Sequence, residues 1–256
     1  ELVNVVPSSK PSDAYKAVAD QAKEFLPSYM HHWMDRSVCK RTVMTIPYNA
    51  TKDSSRKYIR EALLEKKIDP TTDELTQIVN AVYQSMDTIV PGPMQVMRWI
   101  KKHVGLYIRN GAKEVQWVTP SGFIVNQRRD NIETKQMELQ LLGRTQVRLP
   151  TGKSTPSPTK HKSSTAPNYI HSFDASILHR SFTQFNEPFT VIHDSVLCRA
   201  GDMGTLNRLV RETYTNIFSE ECWLSRFAET INASEPPPIV GTLDPKVVSN
   251  STYFFC

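Results

Sequence analysis

The 256-residue sequence predicts an α+β fold that is mainly helical, and three observations support this class. Apolar residues recur at the helical period of about 3.6 through most of the first 110 positions. Between positions 115 and 149 apolar residues instead alternate with polar ones, as in strands. Beyond position 171 helical and strand-like segments are mixed, so neither an all-α nor an all-β fold fits.

Helices separated by prolines are predicted for the first third of the chain. Asp13 opens the first of them. A second helix should span 36–46 and end or kink at Pro47, because proline has no amide hydrogen and crowds the carbonyl group four residues earlier. Thr71 and Glu74 form a capping-box pattern ahead of a later helix. The helices predicted after Pro47 cover 54–66, 74–90 and 94–110.

Two β-hairpins and a loop are predicted in the middle of the chain. The first hairpin turns at 120–122 (PSG), and the second pairs 136–142 with 145–149 around Gly-Arg at 143–144. Residues 150–167 are rich in Ser, Thr, Pro and Lys, and this composition predicts a mobile loop without a core of its own.

The last third is predicted to combine two helices with a short strand pair. The helices should cover 174–185 and 205–218. The apolar run 189–197 indicates a short buried strand pair or hairpin between them. The tail from Pro236 onward is expected to be rich in loops.

The composition limits the classes of function without deciding between them. Lys and Arg number 31 against 26 Asp and Glu, a surplus that suits a polyanionic partner but is also found in proteins that bind no nucleic acid. The four cysteines are far apart and form no CxxC pair, so neither a zinc site nor a disulfide framework is indicated, and a reducing compartment is expected. No apolar run approaches the ~20 residues of a membrane span, and the opening has neither Met nor signal features, as if cut from a longer protein.

The segment 35–48 (DRSVCKRTVMTIPY) could bind a phosphate-bearing ligand. On a helix Arg36, Lys40 and Val43 share one stripe while Arg41 points away. Two cations four residues apart repel each other, and an anion such as a triphosphate would relieve the repulsion. Tyr48 follows Lys40 at roughly 12 Å along a helix axis, about the length of a nucleotide. The alternative is an ordinary solvated basic face.

Two other segments contain candidate polar residues. In FTVIHDSVLC, 189–198, Asp194 sits among apolar residues, and an unpaired buried charge is costly, so it should reach a strand end or meet a cation such as magnesium. His193 would point to the opposite face of a strand, and an Asp in a tight turn is the alternative. In APNYIHSFDAS, 166–176, His171 and Asp174 lie near a predicted helix start, where a capping Asp beside an incidental His is the simpler interpretation.

Together these segments resemble blocks of the single-subunit RNA polymerases of phages and mitochondria, in the family's order. Residues 35–48 are similar to the fingers helix called motif B, with RxxxK and a Tyr eight residues after the Lys, and VIHDS at 191–195 is similar to the palm motif C. Two further blocks match at 116–123 (QWVTPSGF) and 166–176. The opening VNVVPSSKPSDAY resembles the stretch after motif A, and the final STYFFC resembles the family's ending.

The resemblance implies roles in nucleotidyl transfer for three residues. Asp194 corresponds to the second catalytic aspartate, which would bind magnesium in a two-metal site. Lys40 corresponds to the motif B lysine, which would contact the incoming triphosphate and stabilise its developing charge. Arg36 matches a neighbouring phosphate contact.

Four other residues match positions around the nucleotide. Tyr48 corresponds to the residue that helps to select ribose over deoxyribose and gates the insertion site. His171 is similar to the histidine that touches the 2′-hydroxyl of the substrate. Tyr15 would lie near the template base, and His193 accompanies Asp194.

The implied architecture is the fingers and palm portion of a right-hand polymerase with a protruding β-hairpin. Residues 1–110 would form a fingers-type helical region, 111–170 the β-hairpins, and 171–256 the palm portion with the HD motif and the C-terminal tail. Within them, 134–165 falls where the family has its promoter-reading loop, and its Lys, Arg and Gln side chains suit major-groove edges and phosphates. An ordinary flexible surface loop is the alternative.

The resemblance also implies partners and a location. The partners would be double-stranded promoter and template DNA, nascent RNA, ribonucleoside triphosphates and an upstream polymerase segment, with no membrane. A phage enzyme would act in the host-cell cytoplasm and an organelle enzyme in the mitochondrial matrix; short insertions favour the phage. The terminal carboxylate would approach the active site, as the family's tail does.

The sequence departs from the family pattern in ways that affect the expected activity. Pro47 and Asn49 replace a small residue and a Gly that are usual beside the motif B Tyr, and Phe173 stands where a polar residue is frequent. Motif A, with the first catalytic aspartate, precedes Glu1 in the family, so the chain alone should not polymerise. The alternative function is a non-catalytic basic DNA-binding module or split subunit. A related DNA polymerase is disfavoured by the blocks at 116–123 and 166–176.

Overall fold

A computed structural model describes residues 2–139, 145–238 and 241–254. Helices predominate in this part, with three small antiparallel two-stranded sheets, which confirms the α+β, mainly helical class. The helices are α1 (Ala14–Lys23), α2 (Arg36–Thr45), α3 (Lys52–Glu65), α4 (Thr72–Ile89), α5 (Pro91–Arg109), α6 (Pro158–Phe182), α7 (Met203–Glu220) and α8 (Trp223–Thr230). The strands are β1 (Val115–Val118), β2 (Ile124–Gln127), β3 (Asp130–Leu139), β4 (Thr145–Pro156), β5 (Phe189–Ile192) and β6 (Ser195–Cys198).

The first helices begin at side chains that satisfy their unpaired backbone amides. Asp13 accepts from the Lys16 amide at the start of α1. Thr71 and Glu74 form the predicted capping box at the start of α4. Helix α2 ends at Thr45, two residues before Pro47, as the proline predicts.

Two hydrophobic cores meet along α5. The first half of this helix contributes Met94 and Met97 to a core shared with α1–α4. The second half, from Trp99 onward, packs in a core with β1, α6 and α8. Gly105 lies where α6 crosses, and a methyl group there would come within 1.9 Å of Lys162 Cε. The lysine stem therefore occupies the space that a larger residue in α5 would fill.

Both predicted hairpins in the middle of the chain are present. Strands β1 and β2 pair around the turn at 120–122, as predicted. Strands β3 and β4 pair from Asp130↔Pro156 to Leu139↔Thr145, and so extend further than expected. The predicted turn at 143–144 lies outside the described residues.

The prediction of a mobile loop over 150–167 is wrong, because β4 continues to Pro156 and α6 begins at Pro158. Ser157 accepts from the Lys160 amide and Pro158 occupies the first turn, so Ser-Pro starts a helix here. Hydroxyl groups that favour loops in isolation bond within the helix, as Thr165 Oγ1 does to the His161 carbonyl at 2.8 Å. Burial of His161, Thr165 and Ala166 overrides the polar composition.

Two further expectations in the last third are corrected, and one helix there was not predicted. His171 and Asp174 lie inside α6, not at a helix start, so Asp174 is not its cap. The pair β5–β6 exists, but its side chains are largely exposed rather than buried, because it forms a separate two-stranded sheet. The sequence interpretation also missed α8, whose Trp223 and Phe227 are buried. In the described residues no helix is both long and apolar enough to cross a membrane.

Candidate functional site

Helix α2 presents the predicted cations to solvent. Its buried side is formed by Val38, Cys39, Thr42 and Val43. Arg36 and Lys40 are exposed on the opposite side, and Val43, predicted on their stripe, belongs to the core. Within 2–139, 145–238 and 241–254, Lys40 has no hydrogen-bond or ion-pair partner, so it is available to a ligand.

The two arginines of α2 face different neighbours, as the helical periodicity predicts. Arg36 Nε donates to Asp13 Oδ2 at 2.5 Å, and its guanidinium group lies 5.5 Å from the centre of the Tyr15 ring. Arg36 thereby joins the start of α2 to that of α1. Arg41 instead pairs with Glu61 at 2.7 Å on α3, a structural contact.

The turn after α2 depends on a left-handed backbone at Asn49. Its φ of 66° is the conformation that favours glycine, the residue usual at this position in the polymerases that the sequence resembles, and asparagine tolerates it better than most residues. Asn49 Nδ2 donates to the Ser163 carbonyl oxygen at 3.3 Å. That carbonyl lies four residues before Pro167, which has no amide hydrogen to offer it. The Asn49 side chain thus connects the turn to α6, at a carbonyl oxygen that Pro167 leaves without its helical donor.

Tyr48 and His171 stack directly, with ring centroids 4.7 Å apart and an angle of 6° between the planes. Burial raises the pKa of Tyr48, and the negative charges of Asp174 and Asp194 add to the effect. Tyr48, in the turn after α2, therefore contacts α6 through His171 and feels the charge of Asp194 in the β5–β6 turn. These are the three segments that the sequence analysis singled out for chemistry.

His171 is positioned by the contacts of its neighbours in α6. Trp117 Nε1 on β1 donates to Ser172 Oγ at 3.0 Å. Tyr169 donates through its hydroxyl to the Trp223 carbonyl at 2.9 Å. The blocks at 116–123 and 166–176 therefore touch each other, and the first holds the inner face of α6 at Ser172, the residue next to His171.

Asp194 lies in the two-residue turn between β5 and β6. Ile192 pairs with Ser195, and His193 takes a φ of 58° to close the turn. Asp194 is exposed, so its carboxylate reaches a strand end, one of the two situations expected from its apolar neighbours. The turn alternative describes its backbone correctly, but its charge also acts on Tyr48 and Asp174.

Two residues without a predicted site role also lie beside this group. Partial burial raises the pKa of Asp174, which the charge of His171 lowers and that of Asp194 raises. Burial also raises the pKa of Tyr214 on α7, and the charge of Asp174 contributes. The sequence had already indicated Asp174 beside His171, but as a helix cap and not as a neighbour of Tyr48. No signal in the sequence pointed to Tyr214.

The C-terminal tail packs beside Tyr214. The rings of Phe254 and Tyr214 meet edge to face at 5.9 Å. Tyr253 donates through its hydroxyl to the Ser9 carbonyl at 3.3 Å, which holds the tail against the N-terminal segment. The chain's last two residues, and with them the predicted approach of the terminal carboxylate, lie outside the described part.

The structure thus groups five of the seven predicted site residues. Tyr48, His171 and Asp194 are linked by stacking and charge, Tyr15 also acts on Tyr48, and Arg36 touches Tyr15. Lys40 lies one helical turn after Arg36, and His193 is exposed next to Asp194. In the described part of the chain, no three His, Cys, Asp or Glu side chains form a metal-binding group on their own.

Comparison with known proteins supports the family resemblance that the sequence blocks indicated. The sequence pattern of the family described as DNA-dependent RNA polymerase matches residues 1–236. The human mitochondrial DNA-directed RNA polymerase is 28% identical over 289 aligned residues, which cover 99% of this chain and 23% of that protein. T7 RNA polymerase of Escherichia phage T7 is 27% identical over 265, covering 89% of this chain and 30% of that protein.

A third relative also aligns with nearly the whole chain but with only part of its own length. The DNA-directed RNA polymerase of Enterobacteria phage K11 is 25% identical over 328 aligned residues, covering 99% of this chain and 36% of that protein. The chain therefore spans roughly a quarter to a third of the length of these relatives. Because the family pattern covers most of the sequence, the chain belongs to the single-subunit, phage-type DNA-dependent RNA polymerase family.

Proposed function

We propose that this chain is the fingers and palm part of a DNA-directed RNA polymerase, which copies a DNA template into RNA from ribonucleoside triphosphates by two-metal nucleotidyl transfer. The observation that carries the proposal is the stack of Tyr48 on His171 within the field of Asp194. It involves residues of three segments that are distant in sequence, and each segment resembles a motif of the family. On this proposal the fingers comprise 1–110 and the palm portion 171–256.

The cations of α2 would bind the triphosphate. Lys40 is exposed and without a partner in the described ranges, so it loses no internal contact when it binds a phosphate. Its ammonium group would stabilise the charge that develops on the leaving phosphates. Arg36 is held by Asp13 and would contact a neighbouring phosphate oxygen with its remaining donors.

Asp194 would hold magnesium together with the phosphates of the substrate. Carboxylate oxygens suit this ion, which is normally bound by one or two carboxylates plus substrate phosphates and keeps several waters. An exposed carboxylate in a tight turn fits this mode of binding. When bound, two magnesium ions would activate the attacking 3′-hydroxyl and stabilise the leaving oxygen.

The stacked rings would recognise the sugar. Tyr48 and His171 lie ring on ring, and on this proposal the hydroxyl of Tyr48 and the imidazole of His171 contact the ribose 2′-hydroxyl. Tyr15, beneath Arg36, would support the template base. His193 would accompany Asp194 at the tip of the β5–β6 turn.

The proposed hairpin region, 111–170, includes the β3–β4 hairpin. This hairpin would read promoter DNA. Its strands have exposed side chains over most of their length, and a two-stranded ribbon fits the major groove. Nascent RNA, double-stranded template and ribonucleoside triphosphates are the other proposed ligands.

Catalysis would also require a segment that supplies the first catalytic aspartate. Phe189 stacks on Phe182 at 4.1 Å, yet the β5–β6 hairpin still exposes Phe189, Ile192 and Leu197 by 42%, 59% and 57%, a large apolar surface for a two-stranded sheet. We propose that the segment carrying motif A covers this surface, in cis or in trans. On this proposal the 256-residue chain alone does not polymerise.

Reconstitution tests this function. The chain would be assayed alone and with the preceding polymerase segment, joined or added, on a DNA template annealed to a short RNA primer. The expected result is magnesium-dependent extension with ribonucleotides in the reconstituted protein only. A folded, reconstituted protein that binds the template but extends no primer would contradict the proposal and favour the non-catalytic DNA-binding alternative.

A further inference from the structure

The foot of the β3–β4 hairpin forms an open cleft of about 710 Å³, which neither Tyr48 nor His171 lines. Three segments surround it: residues 128–132 at the start of β3, a bulge in β4, and the first turn of α6. The first residues of β3 and the last residues of β4 line the cleft. A ligand bound in it would therefore lie next to the base of the hairpin.

The bulge in β4 brings a lysine to the cleft. Ile132 pairs with Ser154 while Thr134 pairs with Pro150, so residues 151–153 face a single residue of β3. Gly152 makes this possible because its φ of 81° is in the left-handed region. Bulges of this kind redirect side chains, and here Lys153 lines the cleft.

The cleft is strongly cationic. Its charged side chains are Arg128, Arg129, Lys153 and Lys160 with the single acid Asp130, which gives a net charge of +3. Asp130 is neutralised internally, since its Oδ2 accepts from Arg128 Nε at 3.0 Å and from Ser154 Oγ at 2.8 Å. Lys160 donates to the Asp130 carbonyl oxygen at 2.6 Å.

Two of these cations have no internal role that the structure describes. The side chains of Arg129 and Lys153 are exposed and have no hydrogen-bond or ion-pair partner among the described residues. Two like charges that share a cleft without an anion repel each other, and a bound anion would relieve this repulsion. Their position therefore indicates a ligand with at least one negative charge for each of them.

The backbone beneath the cleft is rigidly held. His161 is fully buried, its Nε2 accepts from the Arg129 amide at 3.2 Å, and its Nδ1 donates to the Ser157 carbonyl at 2.9 Å. The Ser157 amide donates in turn to the Arg129 carbonyl at 2.8 Å. The backbone at Arg129 is thus fixed before any ligand arrives, which lowers the entropic cost of binding there.

We propose that this cleft binds backbone phosphates of duplex DNA next to the hairpin, through Arg129 and Lys153. The inference rests on the proposed DNA-reading role of the hairpin and adds a site to it. Phosphate contacts fix the register of a protein on a duplex, while base contacts specify the sequence. A phosphate clamp at the foot of a ribbon would set how far its strands enter the groove.

Salt-dependent DNA binding tests this site. The 256-residue chain and the variant R129Q/K153Q would be titrated with a fluorescently labelled 25-base-pair duplex at several salt concentrations. Each phosphate contact contributes about 0.9 to the slope of log affinity against log salt, so the variant should lose about 2 in slope and bind about tenfold more weakly at 0.1 M salt. Both substituted side chains are exposed, and matching circular dichroism spectra and melting curves would confirm that the fold is intact.

The matched control is K57Q/K67Q, which removes the same charge from exposed lysines outside the cleft. Equal losses in the two variants, or no binding by the parent chain, would overturn the proposal. A loss confined to a parallel titration with duplex RNA would also overturn it, because the site would then serve RNA. The assay needs neither nucleotides nor turnover, so its result is independent of whether the reconstituted polymerase is active.

Discussion

Tyr48 and His171 stack in nearly parallel planes, 6° apart, although one residue follows α2 and the other lies in α6. The contact holds the tyrosine ring by its face, which leaves its hydroxyl at the edge, near the charges of Asp174 and Asp194. Ring and hydroxyl can therefore be separated by experiment: the ring joins two segments, and the hydroxyl is the group available to a substrate.

Replacing Tyr48 by phenylalanine should keep the stack and remove the hydroxyl. In the reconstituted polymerase we expect discrimination against deoxynucleotides to fall at least about tenfold, the scale of one lost hydrogen bond to a substrate, while ribonucleotide incorporation changes little. Competition between the two nucleotide types in single-turnover extension would measure this. Tyr29→Phe is the control, and unchanged discrimination in Tyr48→Phe would refute the assigned role.

The bond from Asn49 to the Ser163 carbonyl should depend on Pro167. Asn49→Gly retains the left-handed backbone and loses only the bond, at a cost of about 0.5–1 kcal/mol. Asn49→Ala adds roughly 1–2 kcal/mol of backbone strain. With Pro167→Ala, the new amide can donate to the Ser163 carbonyl, so Asn49→Gly should then cost less. The cycle consists of the parent, Asn49→Gly, Pro167→Ala and the double variant. Urea unfolding of these four proteins measures the coupling between the two positions, and strictly additive losses of stability would contradict it.

Asp35 caps the start of α2 by accepting from the Ser37 and Val38 amides, and its carboxylate should make stability depend on pH. Burial acts to raise the pKa of Asp35, but hydrogen bonds from Lys66 and Ser37 outweigh it and hold the pKa at about 2, against an ordinary value of 3.8. Because the pKa is lower in the folded chain, the stabilisation is present above pH 4 and is lost as the pH falls toward 2. The melting temperature of the parent should exceed that of Asp35→Asn most above pH 4, and the gap should narrow below it. A gap that widens in acid would contradict this assignment.

His161 should hold the foot of the hairpin in place. Its ring is fully buried and bonded through both nitrogens, so His161→Ala should cost about 2–4 kcal/mol and expose the Arg129 amide. Amide hydrogen exchange of Arg129 would report the local effect. His161→Gln can again offer an acceptor to that amide and should recover part of its protection. Equal protection in all three proteins would argue against the anchor.

The first helices could be predicted because their signals are local. The caps at Asp13 and Thr71 and the stop before Pro47 act within a few residues. The segment 150–167 was mispredicted because its helix depends on distant contacts. Its polar residues are buried by packing, as in the bond from Gln127 Nε2 to Thr165 Oγ1 at 2.7 Å. A rule based on local composition cannot predict that bond.

The candidate site likewise has one part that local sequence predicts and another part that depends on packing. Arg36, Lys40 and Tyr48 could be picked out because one helix and its turn carry all three, and Asp194 because a carboxylate among apolar residues is unusual. The stack of Tyr48 on His171, and the approach of Asp174 and Tyr214, depend on how α2, α6 and α7 pack, which local sequence does not encode.

The most direct test of the central claim is primer extension by the reconstituted polymerase carrying Asp194→Asn. The control is Asp202→Asn, which loses only a surface ion pair with Arg199 at 2.8 Å. If Asp194 holds the catalytic magnesium, its variant should lose at least about a thousandfold in extension rate, or roughly 4 kcal/mol of transition-state stabilisation, while template binding and the control stay near the parent. Extension by Asp194→Asn within a few-fold of the parent would contradict the assignment.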